Sequence, residues 1–155
     1  KVLSTNTYQK GGWVLNMLRN KLEDGVFWEG IRNYYATYQN SNVLTDDFRY
    51  VMEEVSGKDL ESFFQQWLFV MGHPQIQWNW NYSNGKINFN IQQIQDHHVF
   101  EFPLEIGIVK DGKMTIKTIK VDQRNQNIQI ESADQPDSIV LDPNEWTLFE
   151  DMGKL

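Results

Sequence analysis

The spacing of the hydrophobic residues changes near Pro74, and this change constrains the fold more than any other feature of the chain. Before it, apolar side chains recur every three or four residues, as they do along one face of a helix. After it, they alternate with polar ones, as in strands that bury one face. Gly72-His73-Pro74 marks the change, and a proline ends a helix because it lacks the amide donor. The sequence therefore predicts a helical domain over 1–73 and a β domain over 74–155.

Four apolar stripes predict four helices in the first domain. For the third, Thr45 is the expected N-cap and Gly57 the expected end. Asp59 is the expected cap of the fourth helix. The stripes are Trp13, Val14, Met17, Leu18 and Leu22; Phe27, Ile31, Tyr35 and Tyr38; Phe48, Val51, Met52 and Val55; and Leu60, Phe63, Phe64, Trp67 and Leu68.

Short alternating stretches predict the strands of the second domain. Asn84-Gly85 and Asp111-Gly112 are typical of two-residue hairpin turns. The apolar positions shift phase between Ile116 and Ile119, which predicts a bulge near Lys117 or Thr118. The last strands are expected at 128–130 and 139–141. Several antiparallel strands at this spacing indicate a sandwich.

Composition excludes several classes of protein. The net charge is −7 and no run of Lys or Arg stands out, which argues against nucleic acid as a partner. No apolar run approaches the length of a membrane span. The chain has no cysteine, so it can form neither disulfides nor cysteine-ligated zinc sites. With 40% hydrophobic residues, it is expected to be globular.

Six segments, met in order along the chain, point to one family. The first is Tyr8-Gln9-Lys10-Gly11-Gly12, at the head of the first helical stripe. The others are Thr45-Asp46-Asp47-Phe48, Glu54-Val55-Ser56-Gly57-Lys58-Asp59-Leu60, Phe63-Phe64-Gln65-Gln66-Trp67-Leu68, Gly72-His73-Pro74 and Leu141-Asp142-Pro143-Asn144-Glu145-Trp146. Together they resemble the zinc aminopeptidases of the aminopeptidase N type, the gluzincin family.

The resemblance implies an α+β fold, in which the helical end of a gluzincin catalytic domain precedes an antiparallel β-sandwich. It implies a parent protein that removes N-terminal residues from peptide substrates. It also implies a role for Tyr8, because in this family the matching tyrosine donates a hydrogen bond to the oxyanion of the tetrahedral intermediate. Tyr8 is the catalytic residue expected in this chain. No substrate-binding residue is assigned.

Two family motifs are absent from the sequence. There is no His-Glu-x-x-His segment to hold zinc, and no Gly-x-Met-Glu-Asn segment to hold the free amine of a peptide. Zinc-dependent hydrolysis needs a metal-acidified water and a general base, and Tyr8 can replace neither. We therefore expect no metal ligand and no cofactor in this chain, and zinc in the intact parent. The chain, which begins at Lys1, is expected to be an excised and inactive piece.

The missing zinc-bearing half of the catalytic domain is the expected partner of the helices. Without it, the chain is expected to expose apolar surface and to self-associate, with the stripes of Trp13, Phe27 and Phe48 as candidates. The alternative to a peptidase is a non-enzymatic module, in which the sandwich binds a glycan or a protein and the helices are a scaffold. The sequence does not indicate a cellular compartment.

Several residues allow both a functional and a structural interpretation. Tyr8 is either the oxyanion donor or an ordinary boundary tyrosine. Lys10 is expected to be a solvated charge, and Gly11 and Gly12 to allow a neighbouring helix to approach closely. His97-His98 suggests a metal site, but adjacent strand residues face opposite sides, so a polar loop or edge is expected. Three aromatic residues of one strand could stack on sugars but are expected to form a core or inter-domain face: Trp78, Trp80 and Tyr82.

Overall fold

A computed structural model describes residues 5–155, with side chains from Tyr8 onward. The chain divides into two compact units between Met71 and Gly72, two residues before the predicted boundary. The first unit is helical and the second consists of strands, which confirms the α+β class. No helix among the described residues is long and apolar enough to span a membrane.

The helical unit contains the four predicted helices. They are α1 (Thr5–Leu22), α2 (Asp24–Tyr38), α3 (Thr45–Ser56) and the short α4 (Glu61–Phe64). The fourth continues as a π-helical segment, Gln65–Phe69, which the sequence did not predict. There the Val70 N–H donates to the Gln65 carbonyl oxygen at 3.3 Å.

Local hydrogen bonds explain where these helices begin and end. Gly57 has a left-handed φ of 66° and ends α3, as predicted. The Asp59 carboxylate accepts the Glu61 N–H at 2.9 Å, but the N-cap of α4 is Leu60 rather than Asp59. Thr45 is likewise not the N-cap of α3 but its first residue. The Leu44 N–H at this end is satisfied by the Asp47 carboxylate, at 2.8 Å.

The helices bury one apolar cluster. Phe27 is 4% exposed and Phe48 packs against the cluster, so these two residues serve the chain's own core, whereas Tyr35 of the Phe27 stripe is 70% exposed. Gly30 allows α2 and α3 to approach, because a Cβ atom there would collide with the Met52 sulfur. Burying each large side chain contributes about 1.5–3 kcal/mol. The buried members are Leu18, Leu22, Phe27, Met52, Leu60 and Phe64.

The second unit contains two sheets. Its strands are β1 (Gln75–Ser83), β2 (Lys86–Gln93), β3 (Phe102–Lys110), β4 (Lys113–Val121), β5 (Asn125–Glu131), β6 (Ser138–Leu141) and β7 (Glu150–Lys154). One sheet has the order β5-β2-β1-β7 and the other β4-β3-β6. Each has a buried face, as Phe89 in β2 and Leu104 in β3 show. The arrangement fits the expected sandwich.

Both predicted hairpins are confirmed. Asn84 and Gly85 have φ values of 53° and 73°, and Asp111 and Gly112 have 48° and 72°. Each pair forms the two-residue loop, since Ser83 pairs with Lys86 and Lys110 with Lys113. Turns with two positive φ values match the twist of the strands that they join.

The predicted bulge in β4 is wrong. The register of β3 and β4 runs without a shift from Phe102–Val121 to Lys110–Lys113. The change of phase arises because Met114 and Ile116 lie on the outer face, where they are 47% and 41% exposed. Ile119, on the inner face, is 8% exposed. Apolar residues on an outer face therefore shift the apparent phase of the alternation in the same way as a bulge would.

The last strand was not predicted. β7 pairs in parallel with β1, with Gln75 opposite Glu150, and it is the exception among the antiparallel pairs of the described strands. Its five residues are all exposed, so they lack the alternation that marks a half-buried strand. Backbone hydrogen bonds hold it beside β1, including one of 2.9 Å from the Glu150 N–H to the carbonyl oxygen of Pro74, the residue before β1.

Candidate functional site

Tyr8 lies in the N-terminal part of α1 and projects outward. Its side chain is 69% exposed, and Leu15, seven residues further and so on the same helical face, is 43% exposed. Gly11 and Gly12 lie between them on this face. A neutral tyrosine hydroxyl donates and accepts hydrogen bonds. The helix therefore presents a donor that a molecule outside the described residues can reach.

The two glycines beside Tyr8 do not contact a neighbouring helix. A Cβ atom at Gly11 or Gly12 would meet no heavy atom within 4 Å, beyond adjacent residues and the backbone of α1. The close approach expected from the sequence is therefore wrong for the part of the chain that the structure describes. The glycines leave the surface next to the Tyr8 ring uncovered, because helical side chains lean toward the N-terminus.

Lys10 is not the solvated charge expected from the sequence. Its Nζ donates a hydrogen bond of 3.1 Å to the carbonyl oxygen of Val70, and the contact is partly buried. This burial lowers the pKa of Lys10 from its ordinary value. No sequence pattern indicated the contact, since Lys10 and Val70 lie 60 residues apart.

The other end of α1 is fixed to α2. Arg19 donates two hydrogen bonds of 2.6 Å, from Nε and Nη2, to the two carboxylate oxygens of Asp24. This pairing lowers the pKa of Asp24 and raises that of Arg19. Because Asp24 is exposed and Arg19 only half-buried, the pair orients the junction of α1 and α2 more than it stabilises it.

A second polar cluster connects α3 to α4. Glu53 Oε1 accepts a hydrogen bond of 3.1 Å from Arg49 Nη1 and one of 2.9 Å from the Leu60 N–H. Leu60 immediately precedes α4, so Glu53 satisfies an amide at the start of that helix. The cluster positions the short helix that leads into the π-helical segment.

A metal site is not apparent in the described part of the chain. Among residues 8–155, no group of three or more His, Cys, Asp or Glu side chains could hold a metal ion. His97 and His98 lie in the loop between β2 and β3, as expected. The His98 ring packs edge-on against Phe100 at 4.9 Å. The zinc that the resemblance implies therefore does not fit the residues described here.

The three aromatic residues of β1 face the core of their unit. Trp78, Trp80 and Tyr82 pair with the buried residues Ile91, Phe89 and Ile87 of β2, and paired residues share a face. The Trp78 and Phe89 rings are 5.6 Å apart. The Tyr82 hydroxyl donates toward the carbonyl oxygens of Ser132 and Ala133, at 3.1 and 3.0 Å. The core-facing interpretation is confirmed.

A buried amide pair fixes the loop that follows β2, and the sequence interpretation missed it. Gln93 is fully buried and bonds both backbone groups of Phe100, through Oε1 at 2.9 Å and Nε2 at 2.8 Å. Gln95 is 5% exposed and donates to Gln93 at 2.8 Å. Arg124 adds hydrogen bonds to the Gln93 and Gln95 carbonyl oxygens. The alternation of β2 could have revealed Gln93, because it continues the inward series.

Comparison with known sequences points to the peptidases. Residues 1–67 match the model of the Peptidase family M1 domain. Aminopeptidase N of Lactococcus lactis is 36% identical over 73 residues, which are 47% of this chain and 9% of that protein. The protein named Probable aminopeptidase 2 of Sulfurisphaera tokodaii is 31% identical over 107 residues, 66% of this chain and 13% of that protein.

The fold has a counterpart among solved structures. The crystal structure of Legionella pneumophila aminopeptidase A in complex with aspartic acid matches 98% of this chain and 18% of its own, with a TM-score of 0.80 and 19% identity. At this identity, the match shows the fold alone. The chain thus spans a small part of each protein that it resembles. Residues 1–67, the helical part of the chain, thus match peptidase family M1.

Proposed function

We propose that this chain is part of a zinc-dependent aminopeptidase, which hydrolyses N-terminal residues from peptides, and that Tyr8 is one of its catalytic residues. The observation that carries the proposal is the match of residues 1–67 to the Peptidase family M1 domain. Tyr8 lies within the matched residues, on an outward face of α1. The curated relatives named above are themselves aminopeptidases.

The proposal divides the chemistry between this chain and the rest of the protein. Zinc, when bound, supplies an acidified water, and its ligands belong to a part of the peptidase domain outside this chain. The chain contributes a neutral hydroxyl donor. Such a donor accelerates hydrolysis when it meets negative charge that develops only in the transition state.

A side-by-side assay of two proteins tests the proposal. One is the full-length protein and the other is the 155-residue chain, each assayed with aminoacyl amide substrates and by metal analysis. We expect the full-length protein to release N-terminal residues and to contain zinc, and the chain to do neither. A zinc-loaded full-length protein without turnover, or a chain that hydrolyses the substrates alone, would contradict the proposal.

A further inference from the structure

Lys10 connects the beginning of α1 to the end of the π-helical segment. Val70, whose carbonyl oxygen accepts the Lys10 hydrogen bond of 3.1 Å, directly follows Gln65–Phe69. The last carbonyl groups of a helix lack partners within the helix, and a lysine is a favourable donor to them. The contact therefore satisfies a helix end with a side chain from α1.

Lys10 and Tyr8 lie on opposite sides of the same helical turn. They are two residues apart, which corresponds to a rotation of about 200° around the helix axis. Tyr8 is exposed, whereas the Lys10 contact is partly buried. Lys10 thus binds the rest of the helical unit from one side of the turn, and Tyr8 exposes its hydroxyl on the other side.

This turn of α1 lies outside the buried core. None of residues 8–13 is buried, and Val14 is the first buried residue of α1 among those described. Gly11 and Gly12 each weaken a helix by about 1 kcal/mol relative to alanine. A bond to a distant carbonyl is therefore well placed to keep the turn helical.

We propose that Lys10 is a positioning residue for Tyr8, which anchors the turn of α1 that carries the hydroxyl by binding the Val70 carbonyl oxygen. This inference rests on the proposed function of Tyr8. Lys10 itself touches no reacting atom. Its effect on hydrolysis must therefore pass through Tyr8, and this requirement separates a positioning role from a general contribution to stability.

Substitutions in the full-length enzyme test the kinetic part. Lys10→Met keeps the aliphatic stem and removes the donor, and we expect kcat to fall about tenfold to hundredfold with KM little changed. Lys10→Arg retains a donor and should recover most of the activity. Lys21→Met is the matched control, because Lys21 is an exposed residue at the other end of the same helix, and it should leave kcat unchanged.

A double variant gives the sharpest outcome. If Lys10 acts through Tyr8, adding Lys10→Met to Tyr8→Phe should lower kcat no further than Tyr8→Phe alone. If the kcat losses of the two single variants multiply in the double variant, the proposal is overturned. A normal kcat in Lys10→Met would overturn it as well.

Amide exchange in the 155-residue chain tests the anchor without activity. Lys10→Met should exchange faster over residues 8–13 and near Val70, and Lys21→Met should not. Unchanged exchange would also overturn the proposal. A full-length wild type that carries zinc but shows no turnover would instead disprove the proposed function, while the exchange data still decide whether Lys10 anchors the turn.

Discussion

At the scale of single residues, the first described turns of α1 combine weak helix formers with an exposed hydroxyl. The weak helix formers are Gly11 and Gly12, and the hydroxyl belongs to Tyr8. No described atom is close enough to exclude a side chain at Gly12, and the φ angle of Gly12 is not positive. The stability of this chain alone therefore does not explain the glycine.

Gly12→Ala should stabilise the chain. It fills open space and removes the entropic cost of a helical glycine, so we expect the free energy of unfolding to rise by up to about 1 kcal/mol. Gly25→Ala in α2 is the matched control, because its surroundings are equally open, and it should behave alike. Gly30→Ala should destabilise the chain by collision with Met52. Urea unfolding measures all three, and a destabilising Gly12→Ala would show that this position makes a close contact.

At the scale of elements, one carboxylate binds the turn of the β3–β4 hairpin. Asp137 accepts the Asp111 N–H at 2.8 Å and the Lys110 ammonium at 3.3 Å. The backbone bond from Asp111, followed by the bond from Lys110, lowers the pKa of Asp137. A lowered pKa means that the folded protein favours the ionised form, so the stabilisation exists above the unfolded pKa and is lost as pH falls through the folded one.

The pH dependence of unfolding tests this contact. Asp137→Asn should be less stable than the wild type at neutral pH, and the difference should shrink as pH falls below about 4, where the unfolded carboxyl becomes protonated. Asp134→Asn, at an exposed neighbouring position, is the control. A difference between Asp137→Asn and the wild type that stays constant from neutral to acid pH would show that charge plays no part.

Elements with local causes were the ones that the sequence could predict. The turn at Asn84-Gly85 and the end of α3 at Gly57 depend on the conformations of one or two residues. The bond from Lys10 to Val70 joins residues that only the folded chain brings together. β7 is held by its backbone rather than by a buried face. The Tyr8 motif was therefore visible in the sequence, whereas the contact that anchors its helix was not.

At the scale of the whole molecule, the two units have separate cores. The sheet unit begins at Gly72, whose φ of 84° and proximity to the His97 ring suit a glycine, and its strands bury their own faces. We therefore expect residues 72–155 to fold without the helices. An excised 72–155 protein should melt cooperatively, with strands protected from amide exchange. An unfolded product would show that the sheets depend on the helical unit.

The most direct test of the account is Tyr8→Phe in the full-length enzyme. The substitution keeps the ring and removes one donor that is useful only where negative charge develops, so kcat should fall about hundredfold to thousandfold while KM changes little. Zinc content and thermal stability should stay at the wild-type level, because the hydroxyl is expected to bind no metal and the ring remains. Near-normal turnover in the Phe variant, or loss of zinc or of the fold, would contradict the catalytic role of Tyr8.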